Sequence, residues 1–435
     1  MSELQFSRHG KLFGRNPRAI QVVLAVSLIL VTGFLVLHSS LVDSHYDGFS
    51  ISSSLFGRAQ NATNQRKEPG RLQKNNKYDD VLNATVGFQE VFVITLPERK
   101  DRLDSITVQA GVTGINVRVS DGVDGKTVPL KTLPQGMTVD FMKYGGIGCW
   151  RAHLNLFNTM VHEGIQSALV LEDDADWDIA LKYQMREVAK GTRFLLNSTD
   201  PDPNSPYGDD WDIIWIGHRS TKEFEEELYP ERWVMPNDPT VVPPEVRQEY
   251  PGAYMKYWEE GRQSGDLYTR VLYRAKWGEV TTGYAISLRG ALKVIYHQSM
   301  LPFDVAVDTG MGHMCGHPEW GSNFTCIAPF PRILAPSVPP GSGDKESDIE
   351  GHAGEKPETK NNDVSSDFLM YSTRMNIENL LFGKKSFQSK YGGEAGPREM
   401  AYEDIINIHG HREILRPDGL WDDGTKKWRA EVIAE

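Results

Sequence analysis

The sequence predicts an α/β fold built on a mainly parallel β-sheet, and two observations support this. Short apolar runs typical of strands buried on both faces recur at 91–96, 115–120, 168–171 and 211–217. Between them lie segments with the apolar spacing of a helix, most clearly at 150–162. Alternating strands and helices are the pattern of crossover units in a parallel sheet. With 435 residues, the chain has length for one large domain or two.

The strand at 168–171 ends abruptly in three acids, Glu172, Asp173 and Asp174. Because carboxylates are costly to bury, the chain must surface there, which places them at the carboxyl end of the strand, where α/β sheets bind ligands. Crowded carboxylates favour a hard cation such as Mn²⁺ or Mg²⁺. We therefore expect a metal–diphosphate site here. A solvated acidic loop and an acid-rich helix start are the alternatives.

The N-terminal region predicts a membrane anchor. Residues 1–18 are polar and basic, and residues 19–37 are almost entirely apolar and long enough to span a bilayer. Basic residues precede the span and acids follow it, so the N-terminus is expected in the cytosol and the rest in the lumen. A cleaved signal peptide and a buried core helix are the alternatives. Residues 38–88 have the composition of a flexible luminal stem.

The cysteines and the glycosylation sequons take their meaning from this luminal orientation. Cys315 and Cys326 are close enough in sequence to pair in an oxidising compartment, which leaves Cys149 over. Because the net charge is −12, we do not expect a broad nucleic-acid-binding surface. Glycosylation sequons begin at Asn61, Asn83, Asn197 and Asn323.

Two arginines and a histidine are candidates for substrate binding. Arg99 and Arg102 are three residues apart at a predicted helix start, so they could share a face and clamp a diphosphate. Two solvated arginines are the equally plausible alternative. His153 follows a predicted glycine-rich turn at 145–149. It could contact the donor or the acceptor, or it could have a structural role as a helix cap or a buried, hydrogen-bonded histidine.

A second pair of acids, Asp304 and Asp308, supplies candidates for a general base. They are four residues apart, so on a helix they share one face. Displacement on a sugar carbon needs such a base. The alternative is that Asp304, after Pro302, caps a helix.

The folded catalytic part is expected at 89–336. Residues 222–280 are polar and aromatic and indicate an insertion that serves acceptor recognition. Residues 337–366 have the composition of a disordered linker, and residues 367–435 form a C-terminal extension without an assigned role.

With these residues identified, the chain resembles glycosyltransferase family 25, a family that includes galactosyltransferases. The resemblance covers about residues 91–310, although Arg151 and Ala152 depart from the family pattern before His153. The matching segments, in chain order, are 93–96 with Arg99 and Arg102, 119–122, 146–149 with His153, 168–175, 211–217, 283–291 and 301–304.

The resemblance implies a GT-A-like nucleotide-sugar domain of Rossmann-like character that uses a UDP-sugar, often UDP-galactose, with inversion. It implies that Asp174 is the direct metal ligand and that Glu172 acts on the metal through water. Asp173 is expected to face the ribose or a metal-bound water. Asp304 is implied as the stronger of the two candidates for acceptor contact or base.

The expected function is therefore a Mn²⁺- or Mg²⁺-dependent hexosyltransferase acting on a glycan or glycoprotein acceptor. A single-pass type II protein of the Golgi, or of the endoplasmic reticulum, is expected. One alternative is a non-catalytic luminal carbohydrate-binding protein or inactive paralogue. A metal-dependent phosphoesterase is another, but it would need histidine ligands that the sequence does not offer.

Overall fold

The structure, a computed structural model, describes residues 78–199, 205–223, 231–247, 268–316, 323–341, 348–349, 364–392, 398–420 and 426–433. These residues belong to one unit, Lys74–Glu435. The predicted cytosolic tail, the predicted membrane span at 19–37 and most of the predicted stem lie outside the described residues. Within the described part, the search for a helix with the length and hydropathy to cross a bilayer finds none.

The strands are β1 (Glu90–Thr95), β2 (Arg118–Asp121), β3 (Ser167–Glu172), β4 (Ala175–Trp177), β5 (Ile213–Ile214), β6 (Ser220–Glu223), β7 (Glu231–Met235), β8 (Arg270–Glu279), β9 (Gly283–Ser287), β10 (Cys326–Phe330), β11 (Leu334–Val338), β12 (Ser365–Ser366), β13 (Ser386–Gln388), β14 (Glu399–Ala401), β15 (His411–Leu420) and β16 (Lys426–Ile433). The helices are α1 (Lys100–Thr113), α2 (Val139–Glu163), α3 (Leu181–Leu195), α4 (Pro244–Arg247), α5 (Leu288–Ile295), α6 (Val307–Gly316), α7 (Ile377–Leu381) and α8 (Tyr402–Ile405).

The centre of the main sheet follows the order β2-β1-β3-β9-β5-β10. Strands β2, β1, β3, β5 and β10 run in one direction, and β9 is antiparallel between β3 and β5. The expected α/β fold with a largely parallel central sheet is therefore confirmed. Side chains on β1 alternate between two buried layers: Val91 and Val93 pack into one core, and Phe92 packs into the other. The sheet is thus covered on both faces, which explains why its strands are apolar without interruption.

An antiparallel extension continues the sheet from β10 through β8, β7, β15 and β16. The segment at 222–280 was interpreted as an insertion, but its described residues contribute to β6, β7 and β8 of the main sheet and form the short helix α4. Leu272 and Tyr273 on β8 are fully buried. Part of the predicted C-terminal extension also enters this sheet, because β15 pairs with β7. Aromatic and polar composition concealed these strands, since each carries few aliphatic residues.

The glycine-rich segment at 145–149 is helical rather than a turn, which corrects the sequence interpretation. Helix α2 already begins at Val139 and is interrupted only at Lys143, whose φ of 56° and ψ of 165° are not helical. The glycines allow other backbone to cross the helix. A Cβ on Gly148 would lie 2.2 Å from the carbonyl oxygen of Val123, and one on Gly145 would lie 2.3 Å from that of Ile349.

Cys315, near the end of α6, is joined by a disulfide to Cys326, at the start of β10. The predicted pairing is confirmed, and Cys149 is the free cysteine. Because the chain has three cysteines in all, Cys149 carries its one remaining thiol.

Candidate functional site

A cavity of about 860 Å³ opens beyond the carboxyl ends of β1, β2 and β3. Strands β1 and β3 are neighbours in the sheet, so the residues that end them meet at one edge. Helix α2 closes another side, because Gly148 and His153 also line the space. The cavity is thus at the strand ends where α/β sheets bind ligands, as the sequence predicted. Glu172, Asp173 and Asp174 all line it.

Asp173 is held by an arginine rather than left free for a cation. The Nη1 atom of Arg102 lies 2.6 Å from Oδ1 of Asp173 and 3.6 Å from Oδ2 of Asp174. Arg102 is buried, so this ion pair is shielded from solvent and fixes the turn after β3. The structure therefore places Arg102 at the acidic cluster, as a counter-charge to the carboxylates.

Asp174 carries a carboxylate oxygen that none of the described groups compensates. Its Oδ1 atom is buried and has no hydrogen-bond partner within the described ranges. Burial and the charges of Glu172 and Asp173 raise the pKa of Asp174 to about 7, although Arg102 acts in the opposite direction. A buried acid with an unfilled oxygen fits a divalent cation, because the cation supplies both a bonding partner and opposite charge.

Glu172 is oriented by two neighbours. The hydroxyl of Thr281 donates to its Oε1 at 2.6 Å, and Nε2 of His153 lies 3.8 Å from the same oxygen. Burial opposes ionisation of Glu172, but His153 and the Thr281 hydroxyl outweigh burial and lower its pKa. His153 is itself fixed, since its Nδ1 is 2.7 Å from the hydroxyl of Tyr284 on β9. His153 is therefore a buried, hydrogen-bonded histidine at the cavity wall.

Arg374 supports the acidic turn from behind, and sequence reasoning missed it. Its Nη2 donates to the carbonyl oxygens of Asp173 at 2.9 Å and Ala175 at 3.0 Å. Its Nε donates to Gln109 on α1 at 2.7 Å. Arg374 lies in the predicted C-terminal extension, some 200 residues from its partners, so no local pattern could have indicated this contact.

Asp176 and Asp178, the next two acids along the chain, are also held by residues near Arg374. Burial raises the pKa of Asp176. The hydroxyl of Ser372 and the side-chain amide of Gln109 both donate to its carboxylate, the latter at 2.9 Å. Asp178 accepts from the backbone N–H of Tyr371 at 2.9 Å, and burial raises its pKa to about 8. The residues around 371–374 thus lock the chain that follows the acidic turn.

The other predicted site residues are not all brought together. Arg99 precedes α1 and pairs with Asp101 at 3.0 Å and with Asp348, so it does not share a face with the buried Arg102. Burial is partial for Arg99, and these two carboxylates raise its pKa. The expected arginine clamp is therefore not formed, because the helix begins only at Lys100.

Asp304 and Asp308 do not share a helix face. Helix α6 begins at Val307, and Asp304 lies before it, exposed, in a second cavity of about 370 Å³. Asp308 is in the first turn of α6 and accepts from the backbone N–H of Val280 at 2.8 Å. That bond holds Val280 at a φ of 73°, which is rare for a β-branched residue. Asp308 is thereby tied to the turn that carries Thr281, whose hydroxyl donates to Glu172.

Two lysines, Lys126 and Lys143, line the main cavity and were not predicted as site residues. Lys143 occupies the break in α2, a strained conformation of the kind found at ligand sites. Its Nζ donates to the carbonyl of Asp140 at 2.6 Å. Together with Arg102, these lysines add positive charge to the lining of the cavity, which suits an anionic ligand.

Comparison with known proteins gives a family for the region around the site. Residues 88–199 match the profile described as glycosyltransferase family 25 (LPS biosynthesis protein). This stretch contains β1 to β3, α2 and the acidic turn.

Curated relatives are similar over a wider region. Procollagen galactosyltransferase 1 of Danio rerio is 27% identical over 234 residues, which are 50% of this chain and 31% of the relative. Procollagen galactosyltransferase 2 of Homo sapiens is 27% identical over 242 residues, 52% of this chain and 30% of the relative. A protein named inactive glycosyltransferase 25 family member 3, also of Homo sapiens, is 24% identical over 289 residues, 61% of this chain and 40% of the relative. The similarity thus spans well under half the length of each relative.

Proposed function

We propose that this chain, which is similar to glycosyltransferase family 25 over residues 88–199, transfers a sugar, galactose in the first instance, from a UDP-sugar to a hydroxyl of a glycan or glycoprotein, with inversion. The observation that carries this proposal is Asp174, which lines the cavity beyond β3 and whose buried Oδ1 lacks a partner in the described structure. The presence of the acidic cluster together with Asp304 favours catalysis over the alternative of an inactive carbohydrate-binding paralogue. The galactose assignment draws support from the names of the relatives.

The acidic turn and the basic residues of the cavity have different roles in the proposed reaction. Glu172 and Asp174 hold a divalent cation, Mn²⁺ or Mg²⁺, and such a cation supplies neutralisation of the charge that grows on the leaving diphosphate. Arg102 keeps Asp173 in place beside them. Lys126 and Lys143, on the cavity wall, attract the diphosphate into the space.

Asp308 is our candidate for the base that removes the proton of the acceptor hydroxyl. It accepts a hydrogen bond from the backbone N–H of Val280, and the neighbouring Thr281 donates to Glu172. Asp304 lines the other cavity and is assigned to acceptor contact. We expect Asp308→Asn to lower transfer by about 100-fold or more while donor binding persists. A larger loss with Asp304→Asn would move the role of base to Asp304.

We place this reaction in the lumen of the secretory pathway, on the Golgi or endoplasmic reticulum side of a membrane anchored by residues 19–37. The disulfide between Cys315 and Cys326 supports an oxidising compartment. Three of the predicted sequon asparagines, Asn83, Asn197 and Asn323, are exposed, which is a requirement for glycosylation.

The test is UDP release by the purified full-length chain against a panel of UDP-sugars, with Mn²⁺ and then with a chelator. We expect release from one donor, dependent on the metal. Donor binding is measured in the same preparation by calorimetry. Sugar binding without UDP release, in the presence of any acceptor tried, would favour the binding-protein alternative. Absence of UDP-sugar binding with Mn²⁺ present would defeat the transferase proposal.

A further inference from the structure

A second set of metal ligands lines the same cavity, beside the acidic turn but distinct in chemistry. Cys149 and His153 are four residues apart on α2, so they share one helix face. Glu172 at the end of β3 faces them. The thiol sulfur of Cys149, an imidazole nitrogen of His153 and a carboxylate oxygen of Glu172 all lie within 4.8 Å of one another.

These three donors suit a different cation from the one expected at the all-oxygen cluster. Thiolate and imidazole select zinc-like, borderline-soft ions, whereas Mn²⁺ and Mg²⁺ prefer oxygen ligands. Three protein ligands leave the fourth position of a tetrahedral ion open, and all three of these residues line the cavity. We propose that Cys149, His153 and Glu172 form a Zn²⁺ site.

The supporting hydrogen bonds are those of a built site. Metal-bound histidines use their second ring nitrogen to hydrogen-bond a neighbour, which fixes the ring. Here Nδ1 of His153 contacts the Tyr284 hydroxyl at 2.7 Å, and Nε2 is the nitrogen that faces Glu172. Thr281 orients the carboxylate of Glu172 in turn, with its hydroxyl 2.6 Å away. Tyr284 is fully buried, so this arrangement is rigid.

Binding proceeds with loss of one proton: the thiol of Cys149 gives up its hydrogen to solvent as its sulfur bonds to the incoming Zn²⁺, and no electron is transferred. Glu172 is then a ligand of both the proposed Zn²⁺ site and the proposed Mn²⁺ site. Resting on the proposed function, this predicts that Zn²⁺ inhibits the Mn²⁺-dependent transferase by taking Glu172. The Zn²⁺ site itself does not depend on that reaction.

The single free thiol makes the test specific to this site. The rate of N-ethylmaleimide addition to Cys149 is measured on the purified full-length chain by mass spectrometry, without metal, with Zn²⁺ and with Mn²⁺. We expect Zn²⁺ to protect the thiol at a stoichiometry of one ion per chain, and Mn²⁺ not to protect it. Equal rates with and without saturating Zn²⁺ would overturn the proposal.

Three variants locate the ligands. His153→Gln keeps the thiol and should remove protection by Zn²⁺. Tyr284→Phe removes only the hydrogen bond to His153 and should weaken Zn²⁺ binding by about 10- to 100-fold. His162→Gln is the control, since His162 is exposed near the end of the same helix and bonds only to its own helix in the described contacts. Unchanged protection in His153→Gln would also overturn the site.

A second measurement is needed if the Cys149 thiol does not react with N-ethylmaleimide even without metal. Cd²⁺ bound to a thiolate produces a charge-transfer absorption band in the ultraviolet. We expect this band in the wild-type chain and not in Cys149→Ser. Absence of the band in the wild type would contradict the proposal independently of any transferase assay.

Discussion

Asp174 carries a buried carboxylate oxygen without a hydrogen-bond partner among the described residues, so substitution there has a clear expected result. Asp174→Asn keeps the shape of the side chain but removes the negative charge that a cation needs. We expect UDP release to fall by at least about 100-fold, measured with saturating Mn²⁺. The control is Asp104→Asn, the same chemical change at an exposed position on α1, which should keep wild-type release. Wild-type activity in Asp174→Asn would remove Asp174 from the metal site.

The raised pKa of Asp174 also predicts how metal binding depends on pH. With a pKa of about 7, the carboxyl is protonated in more of the molecules as the pH falls below 7, and protons then compete with the cation. Affinity for Mn²⁺ should therefore be roughly 10-fold weaker at pH 6 than at pH 8. Calorimetric titration at both pH values measures this, and equal affinities would contradict it.

The same shift has a consequence for the metal-free protein. The ordinary pKa is 3.8 and the folded value is about 7, so between these values the folded state binds more protons than the unfolded state. The stability contributed by Asp174 is therefore complete below pH 4 and is lost as pH rises through 7. Without metal at pH 8, Asp174→Asn should stabilise the chain, by on the order of 2 kcal/mol in thermal unfolding. Destabilisation at pH 8 would show that the carboxylate is compensated.

Among the elements, the segment around Arg374 is the support of the acidic turn. Arg374→Lys keeps the positive charge but cannot bond both carbonyl oxygens and Gln109 at once. We expect the Mn²⁺ concentration for half-maximal UDP release to rise by about 10-fold, with a smaller change in the maximal rate. Arg398→Lys, at an exposed position in the same region, is the control. A fall in maximal rate alone would point to direct catalysis by Arg374 instead.

Helix α2 and helix α1 contain glycines with opposite expected responses to alanine. At Gly148 the new Cβ would meet the Val123 carbonyl at 2.2 Å, and backbone cannot easily move away. Gly148→Ala should destabilise the chain by about 1–3 kcal/mol. At Gly111, inside α1, a Cβ meets nothing within 4 Å, so Gly111→Ala should stabilise by about 0.5–1 kcal/mol. Thermal unfolding of both variants measures the change in the free energy of unfolding. A change of the same sign in both variants would contradict this packing.

Sequence patterns predicted the parts of the site that are local, and missed those that depend on distant contacts. The apolar strand ending in Glu172, Asp173 and Asp174 was readable because burial and charge change within a few residues. The spacing of Cys149 and His153 was present in the sequence but was hidden by interpreting the glycines as a turn. Arg374 carried no local signal at all, because its partners are contributed by other elements.

At the scale of the whole molecule, the aromatic composition of 222–280 misled the sequence interpretation for a related reason. Strands β7 and β8 are buried only because β10 and β15 lie beside them. Their residues pack as core although the local pattern is that of a surface loop. The fold class followed from the first strands, whereas the width of the sheet followed from pairings that only the folded chain reveals.

The C-terminal region is therefore expected to be part of the folding unit. Deletion of residues 364–435 removes Arg374 and β15, so the remaining chain should lose its cooperative unfolding transition and its UDP-sugar binding. Deletion of residues 426–435 removes only the outermost strand, β16, and should preserve both. Calorimetric unfolding and donor binding measure the two properties. A cooperative, donor-binding chain that ends at 363 would contradict this view.

The bonds from Arg374 to Asp173 and Ala175 join residues separated by 201 and 199 positions along the chain. A ribosome makes the acidic turn long before it makes the arginine that supports it. During synthesis the acidic turn remains without this support while the residues between it and Arg374 are added. Loop closure over such a distance is slow. Until that closure, the nascent chain carries the acidic turn without the arginine that bonds its carbonyl oxygens. Its maturation should therefore depend on late events, and interrupted synthesis should leave products that hold the acidic turn but bind no nucleotide sugar.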